Sequence, residues 1–215
     1  MPRLAKEWRI TCDTTTLEKV RKQEKFPYIV SLARAVNALY SVHSLLLDPP
    51  KIDTPEVVRN RINSYLFGSA LLYETIVLIR KMKRVFADDE TFQKGLRMIL
   101  KNSTAQMLEQ SHLKAARNHA VFHFIPEEFG KAVNKADAGE CIFVAARGKK
   151  KRAMHYAYAD IVAAEMLVGV SVEDPTFVSV LNSAGTDTVN LLVKVTEDAE
   201  DLIVEYLKAW GFKRD

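Results

Sequence analysis

Apolar residues recur at helical spacing over most of the chain. Between residues 27 and 47 the repeat consists of Ile29, Leu32, Ala33, Val36, Leu39, Tyr40 and Val42. Apolar side chains three or four positions apart predict one buried face of an α-helix. Asp48-Pro49-Pro50 ends this run, because proline lacks the backbone donor that a helix needs and disfavours helix in the preceding residue.

A second, longer helix is predicted from Thr54-Pro55-Glu56 to about Phe86. Threonine is a good N-cap, proline suits the first turn, and an acid is favoured near the positive helix end. At 1.5 Å per residue the helix would be roughly 45–50 Å long. Because residues 65–79 are apolar around much of the circumference, we expect this helix to be central and buried.

Two further helices complete a predicted bundle. Asp88-Asp89 would cap a helix over about residues 90–101, and Asn102-Ser103 separates it from a helix that runs from Ser103 to His123 or Phe124. Short links between consecutive helices imply antiparallel neighbours. The prediction is therefore a mainly α fold with an antiparallel four-helix core over residues 26–136.

The pattern changes in the last third of the chain. A short helix is predicted from Pro126 to about Lys135, followed by β-favouring residues 141–144 and 154–158, which predict a β-hairpin; one more helix is the alternative. Helices are again predicted over residues 160–168 and from Thr186 or Thr188 to Trp210, closed by Gly211.

The length of 215 residues suits a single domain over residues 1–215, in which residues 139–215 extend the bundle. Residues 1–25 are expected to be a loosely held arm or a short helix, with Thr14-Thr15-Thr16 as a possible helix cap. Cys12 and Cys141 match no metal or redox spacing, which favours reduced thiols. The N-terminus lacks a signal-peptide pattern, and Glu74 interrupts an apolar run too short to span a membrane. We therefore expect a cytoplasmic protein with no membrane partner.

The densest group of chemically capable residues lies within residues 113–124, where Arg117, Asn118, His119 and His123 fall among alanines and phenylalanines. Arginine can hold phosphate through paired hydrogen bonds, and histidine can accept and donate protons near neutral pH. Together these groups suffice for RNA cleavage without a metal or another cofactor. The net charge of +4 is compatible with an RNA partner, although it is mild.

The helical geometry complicates a site made from one chain. At 100° per residue, Arg117 and His123 lie roughly 120° apart around an α-helix axis, so they flank a face without sharing it. Two copies related by a twofold axis would bring two arginines and two histidines into one cleft. A homodimer is therefore expected, and twofold dimers are the commonest assembly of this kind.

Arg117-Asn118 followed by His123 resembles the Arg-x(4–6)-His motif of the HEPN superfamily, named for its higher-eukaryote and prokaryote nucleotide-binding members. The similarity is concentrated in residues 115–128. It implies a dimeric helical bundle with the motif at the interface, and a metal-independent endoribonuclease of bacterial toxin–antitoxin or phage-defence systems. Arg117 would hold or polarise phosphate, His123 would be the general acid or base, and Asn118 would orient one of them or the scissile phosphate. A cognate antitoxin or regulatory protein is an implied partner, and a non-catalytic binding or scaffold protein is the alternative.

Each of these residues also has a structural interpretation. Arg117 could pair with an acid on the long helix, such as Glu74, and His123 could cap carbonyl groups. His112, His119 and His123 fall within roughly 40° around the axis, so a metal site is a further alternative, but no further ligand accompanies them.

The predicted hairpin tip carries a run of positive charge. Lys149, Lys150, Lys151 and Arg152 could follow an RNA backbone through phosphate contacts. An ordinary solvated turn explains the same run equally well.

Overall fold

The chain is mainly α-helical in the computed structural model, which describes residues 9–47, 54–121, 145–146, 154–155, 157–171 and 173–214. The α-helices in these ranges are α1 (Thr14–Val20), α2 (Phe26–Leu47), α3 (Pro55–Val85), α4 (Glu90–Leu100), α5 (Ser103–Leu108), α6 (Ala157–Val168) and α7 (Phe177–Ala209). The strands are β1 (Ile10–Thr11), β2 (Ala145–Ala146), β3 (Met154–His155) and β4 (Lys213–Arg214). This confirms the predicted α class, while the four-helix HEPN-like core remains a prediction.

Helix starts follow the capping chemistry read from the sequence. Thr54 Oγ1 accepts a hydrogen bond from the amide of Val57 at 3.3 Å, and Pro55 opens α3. Asp89 Oδ1 accepts from the amide of Phe92 at 2.9 Å at the start of α4. These side chains satisfy backbone donors that have no partner within the helix.

A buried glutamine closes the C-terminal end of α3. Gln93 Nε2 donates to the backbone oxygens of Lys83, at 2.6 Å, and Phe86, at 2.8 Å. Those carbonyls lie near the helix end, where intrahelical partners run out. Gln93 therefore joins the first turns of α4 to the end of α3.

The described part of the N-terminal region contains a short helix, which is one of the two expectations for residues 1–25. Strand β1 pairs antiparallel with β4, with Ile10 opposite Arg214 and Thr11 opposite Lys213. Helix α1 begins after Asp13, whose Oδ1 accepts from the amide of Thr16 at 2.7 Å. The local cap is thus an aspartate in place of the expected threonine, and backbone pairing fixes residues 10 and 11 against the other end of the described chain.

The C-terminal helix is longer than expected. Helix α7 runs without interruption through Gly185. At Gly211 the chain adopts a φ of +87°, which glycine tolerates without steric penalty. The amides of Gly211 and Phe212 then donate to the backbone oxygens of Lys208 and Leu207, both at 3.0 Å, in the Schellman arrangement.

The largest apolar cluster joins α2, α3, α4 and the start of α5 to α7. Its centre includes an aromatic group in which Tyr206 packs edge-on against Phe86, Phe92 and Trp210, with ring centroids 4.4–5.0 Å apart. Helix α7 therefore contributes one wall of the same core that contains α2, α3 and α4.

Helix α3 has the length and composition of a membrane-spanning segment over Arg59–Val85, with a mean hydropathy of 1.4 in its most apolar window. The core helix of a soluble protein passes the same test. Within the described residues α3 packs against α2, α4 and α7, as expected for the central helix of a bundle.

Strands β2 and β3 form a short antiparallel ladder, with Ala145 opposite His155 and Ala146 opposite Met154. They contact α3. The second strand ends earlier than predicted, because residues 157 and 158 belong to α6. The predicted helix over residues 126–135, the strand over 141–144 and the tip over 147–152 lie outside the described residues.

Candidate functional site

The helix that carries Arg117 changes its hydrogen-bonding pattern along its length. Asn102 Oδ1 accepts from the amide of Ala105 at 3.2 Å and starts α5. The helical path then widens into π-helix over Glu109–Leu113 and again over Ala116–Val121. We call the continuous segment over residues 103–121 the motif helix. π-Helical turns are rare and are frequently found at functional sites.

The π-helical turns correct the geometry expected from the sequence. The 100° step that separated Arg117 from His123 holds for an α-helix, whereas a π-helix bonds residue i to i+5 and turns less per residue. Arg117 and Asn118 both lie in the second π-helical segment. The angle between Arg117 and His123 is therefore not the α-helical value, and because His123 lies outside the described residues the dimer remains a prediction.

The buried side of the motif helix fixes its position on α3. Leu108, Leu113 and Ala116 are fully buried. Ala116 packs in a small cluster with Leu66 of α3 and Leu167 of α6. Arg117 directly follows this buried alanine, so the backbone that bears it is held by packing on two other helices.

Arg117 interacts with two oxygen acceptors. Its Nε donates to Glu74 Oε1 of α3 at 2.8 Å, and its Nη1 donates to Asn118 Oδ1 at 2.9 Å. The pairing with Glu74 is the structural alternative that the sequence suggested. Of the five N–H donors that a guanidinium carries, these contacts use two.

The Arg117–Glu74 pair is accessible to solvent. The two side chains retain 35% and 44% of their exposure, respectively. Because an exposed pair is only weakly stabilising, the free-energy cost of redirecting Arg117 toward an anion is small. The arrangement can therefore hold the guanidinium ready for a phosphate, or it can serve as an ordinary interhelical ion pair.

A second ion pair joins the same two helices, with the arginine now on α3 and the acid on the motif helix. Arg80 of α3 makes a two-pronged hydrogen bond to the carboxylate of Glu109, which is buried at 8% exposure. Neither Arg80 nor Glu109 is among the candidate residues indicated by the sequence. No spacing rule within one helix reveals this contact, because it depends on the register between two helices.

The two ion pairs define that register. Glu74 and Arg80 are six residues apart on α3, which corresponds to about 9 Å of α-helix. Glu109 and Arg117 are eight residues apart, which would correspond to about 12 Å in an unbroken α-helix. The wider π-helical turns rise less per residue, so both pairs can form at once.

The histidines separate into described and undescribed positions. His112 Nδ1 lies 3.0 Å from the backbone oxygen of Leu167, so it can donate a hydrogen bond to α6 and has a packing role. His123, the predicted acid or base, lies outside the described residues, as does the basic run Lys149, Lys150, Lys151 and Arg152. In the described part of the chain, no three potential metal ligands cluster together.

Comparison with protein families, with characterised proteins and with solved structures finds no match to this chain.

Proposed function

We propose that this protein is a metal-independent endoribonuclease of HEPN type that acts as a homodimer in the cytoplasm, in a toxin–antitoxin or phage-defence setting. Arg117, Asn118 and His123 form its catalytic group. The observation that carries the proposal is the placement of Arg117: a partly exposed guanidinium, oriented by Glu74 and Asn118, in a π-helical turn. The sequence resemblance supplies His123.

The proposed reaction is an internal transesterification of RNA. The 2′-oxygen attacks the adjacent phosphorus while His123 of one protomer removes the 2′-hydroxyl proton. The bond from phosphorus to the 5′-oxygen breaks, and a second proton donor, the histidine of the other protomer, protonates that oxygen. Arg117 neutralises the charge that develops on the phosphoryl oxygens. The products carry a 2′,3′-cyclic phosphate and a 5′-hydroxyl.

The test is RNA cleavage in EDTA by the wild type and by His123→Ala and Arg117→Ala. Loss of a general acid or base lowers rates by about 10²–10⁴-fold, and we expect a loss in that range for His123→Ala. Lys114→Ala is the matched control, because Lys114 is an exposed cation on the same helix. A substrate with a 2′-deoxy residue at the cut site should resist cleavage.

The ribonuclease assignment fails if the wild type does not cut RNA or if His123→Ala cuts equally well. It also fails if the 2′-deoxy substrate is cut at the same position, because the attacking oxygen would then be absent.

The dimer is tested by mixing the wild type with the double variant Arg117→Ala, His123→Ala. A heterodimer then retains one arginine and one histidine, so a cleft that needs both histidines should lose most of its activity. An excess of the double variant should therefore lower the activity of a fixed amount of wild type. Heterodimers that form but keep the full activity of their wild-type chain would argue against a cleft shared by two copies.

A non-catalytic RNA-binding or scaffold protein is the second candidate. The Arg117–Glu74 ion pair favours it, because the carboxylate already neutralises much of the arginine charge. It predicts RNA binding without cleavage. Replacing Lys149, Lys150, Lys151 and Arg152 by glutamine should then weaken binding to all RNA sequences alike and flatten its salt dependence.

A further inference from the structure

A cavity of about 340 Å³ lies between α2, α3, α6 and α7. This volume falls within the range of small-molecule sites in proteins. Most of the lining is aliphatic, and its larger members are Leu46, Ile62, Leu66, Leu167, Leu181 and Val189. A cavity with such walls favours an apolar ligand, because burial removes the apolar surface of both partners from water.

Gly185 lines the cavity from the interior of α7. A Cβ atom at this position would meet no heavy atom within 4 Å. Glycine inside a helix costs about 1 kcal/mol relative to alanine, and the backbone φ gives no reason for it here. The missing side chain instead enlarges the cavity.

Two polar side chains of α3 interrupt the aliphatic lining. Arg61 is the one charged residue among the described residues that line the cavity. Tyr65 stands one helical turn further along, and burial raises the pKa of its phenol, against side-chain hydrogen bonds with Thr188 and Ser69 that lower it. A cation and a hydroxyl donor one turn apart are suited to a carboxylate.

From this juxtaposition we infer that the cavity binds an aliphatic monocarboxylate, with its chain among the leucines and its carboxylate at Arg61 and Tyr65. Water occupies about 30 Å³ per molecule, and a methylene group is similar in size. The cavity therefore accommodates a chain of about ten carbons. None of the described residues that line the cavity belongs to the Arg117 group, so the proposed site does not depend on the ribonuclease proposal.

The charge assignment is tested with two ligands of equal chain length, decanoate and decyltrimethylammonium, below their micelle concentrations. Isothermal titration of the full chain should show saturable 1:1 binding of decanoate, at least tenfold tighter than binding of the cationic ligand. Arg61→Gln should weaken decanoate binding about tenfold or more, because it removes a charge-assisted hydrogen bond. Equal binding of the two ligands overturns the charge assignment.

The location is tested by filling the cavity from either side. Gly185→Leu from α7 and Ala164→Leu from α6 should each weaken decanoate binding at least tenfold. Val178→Leu is the matched control, because Val178 is exposed on α7 outside the cavity. The two filling variants approach from different helices, so one remains informative if the other does not fold.

The proposed site is overturned if the wild type does not bind decanoate saturably. It is also overturned if a folded filling variant binds decanoate as tightly as the wild type. The site is supported if the wild type and Val178→Leu bind decanoate and the folded filling variants do not.

Discussion

Arg117 of the motif helix and Glu74 of α3 meet with 2.8 Å between Nε and Oε1, while a second bond links Arg117 to Asn118. The carboxylate has two opposing effects on RNA binding. It orients the guanidinium, and it places a negative charge where a phosphate would approach. These effects can be separated by a substitution that keeps the acceptor and removes the charge.

Glu74→Gln separates the orienting effect of the carboxylate from its repulsion of phosphate. The amide oxygen can still accept from Arg117, but the repulsion of phosphate disappears. An exposed charge interaction is worth about 1 kcal/mol, so we expect RNA affinity at low salt to rise about fivefold. The free energy of unfolding should change by less than about 1 kcal/mol, because both partners are partly exposed. Fluorescence anisotropy and urea unfolding measure the two quantities.

Glu205→Gln is the control, because Glu205 is an exposed acid on α7. If Glu74→Gln weakens RNA binding, or if Glu205→Gln strengthens it equally, the carboxylate does not oppose phosphate at Arg117.

The Arg80–Glu109 pair should matter more for stability. Glu109 is buried, so Arg80→Ala leaves its carboxylate in a poorly hydrated environment without its cation. We expect a loss of about 1–3 kcal/mol in the free energy of unfolding. Glu109→Gln should rescue part of this loss in the Arg80→Ala background, because it removes the uncompensated charge. A double-mutant cycle by urea unfolding measures the coupling, and additive effects would contradict it.

Those features of the fold that depend on local chemistry could be predicted from the sequence. Thr54 and Asp89 cap the helices that they were expected to cap, and Gly211 ends the last helix. Such signals act through the nearest few backbone groups, so no knowledge of the tertiary structure is needed. The cap of α1 was misplaced by one residue, because Asp13 is as good a cap as the threonines that follow it.

Features that depend on register between helices could not be predicted. The π-helical turns of the motif helix accompany two ion pairs to α3, and the sequence does not show which turns of two helices will face each other. Glu74 could be named as a partner for Arg117 because it is an isolated acid in an apolar run. The cavity that Arg61 lines is built by side chains of four helices, so no single segment of the sequence indicates it.

Two glycines in helix interiors should respond in opposite ways to alanine. At Gly185 the space is open, so Gly185→Ala should raise the free energy of unfolding by about 0.5–1 kcal/mol. At Gly95 a new Cβ would lie 2.4 Å from Cδ2 of Leu202, a buried side chain with little freedom to move. Gly95→Ala should therefore cost about 1–3 kcal/mol. Thermal unfolding measures both, and equal shifts in Tm would contradict the packing argument.

The hydrogen bond between Tyr40 and Glu200 predicts that the free energy of unfolding depends on pH in the alkaline range. Tyr40 Oη donates to Glu200 Oε2 at 2.5 Å, and this hydrogen bond, with some burial and nearby carboxylates, raises the pKa of Tyr40 to about 12. The unfolded pKa is about 10, so the folded value is the higher one. Stability from this bond is therefore complete below about pH 10 and is lost as the pH rises toward about 12. Because Tyr40 retains 40% exposure, we expect less than about 1 kcal/mol.

Tyr40→Phe isolates this contribution, because it removes the hydroxyl and keeps the ring. Urea unfolding should show the wild type to be more stable than the variant at about pH 9, and the difference should shrink at about pH 11. Glu200→Gln keeps an acceptor but removes its charge, so the pKa of Tyr40, followed by phenolate absorbance, should fall toward its usual value. A difference between wild type and Tyr40→Phe that is the same at both pH values would contradict a stabilising hydrogen bond from the Tyr40 hydroxyl of α2 to Glu200 of α7.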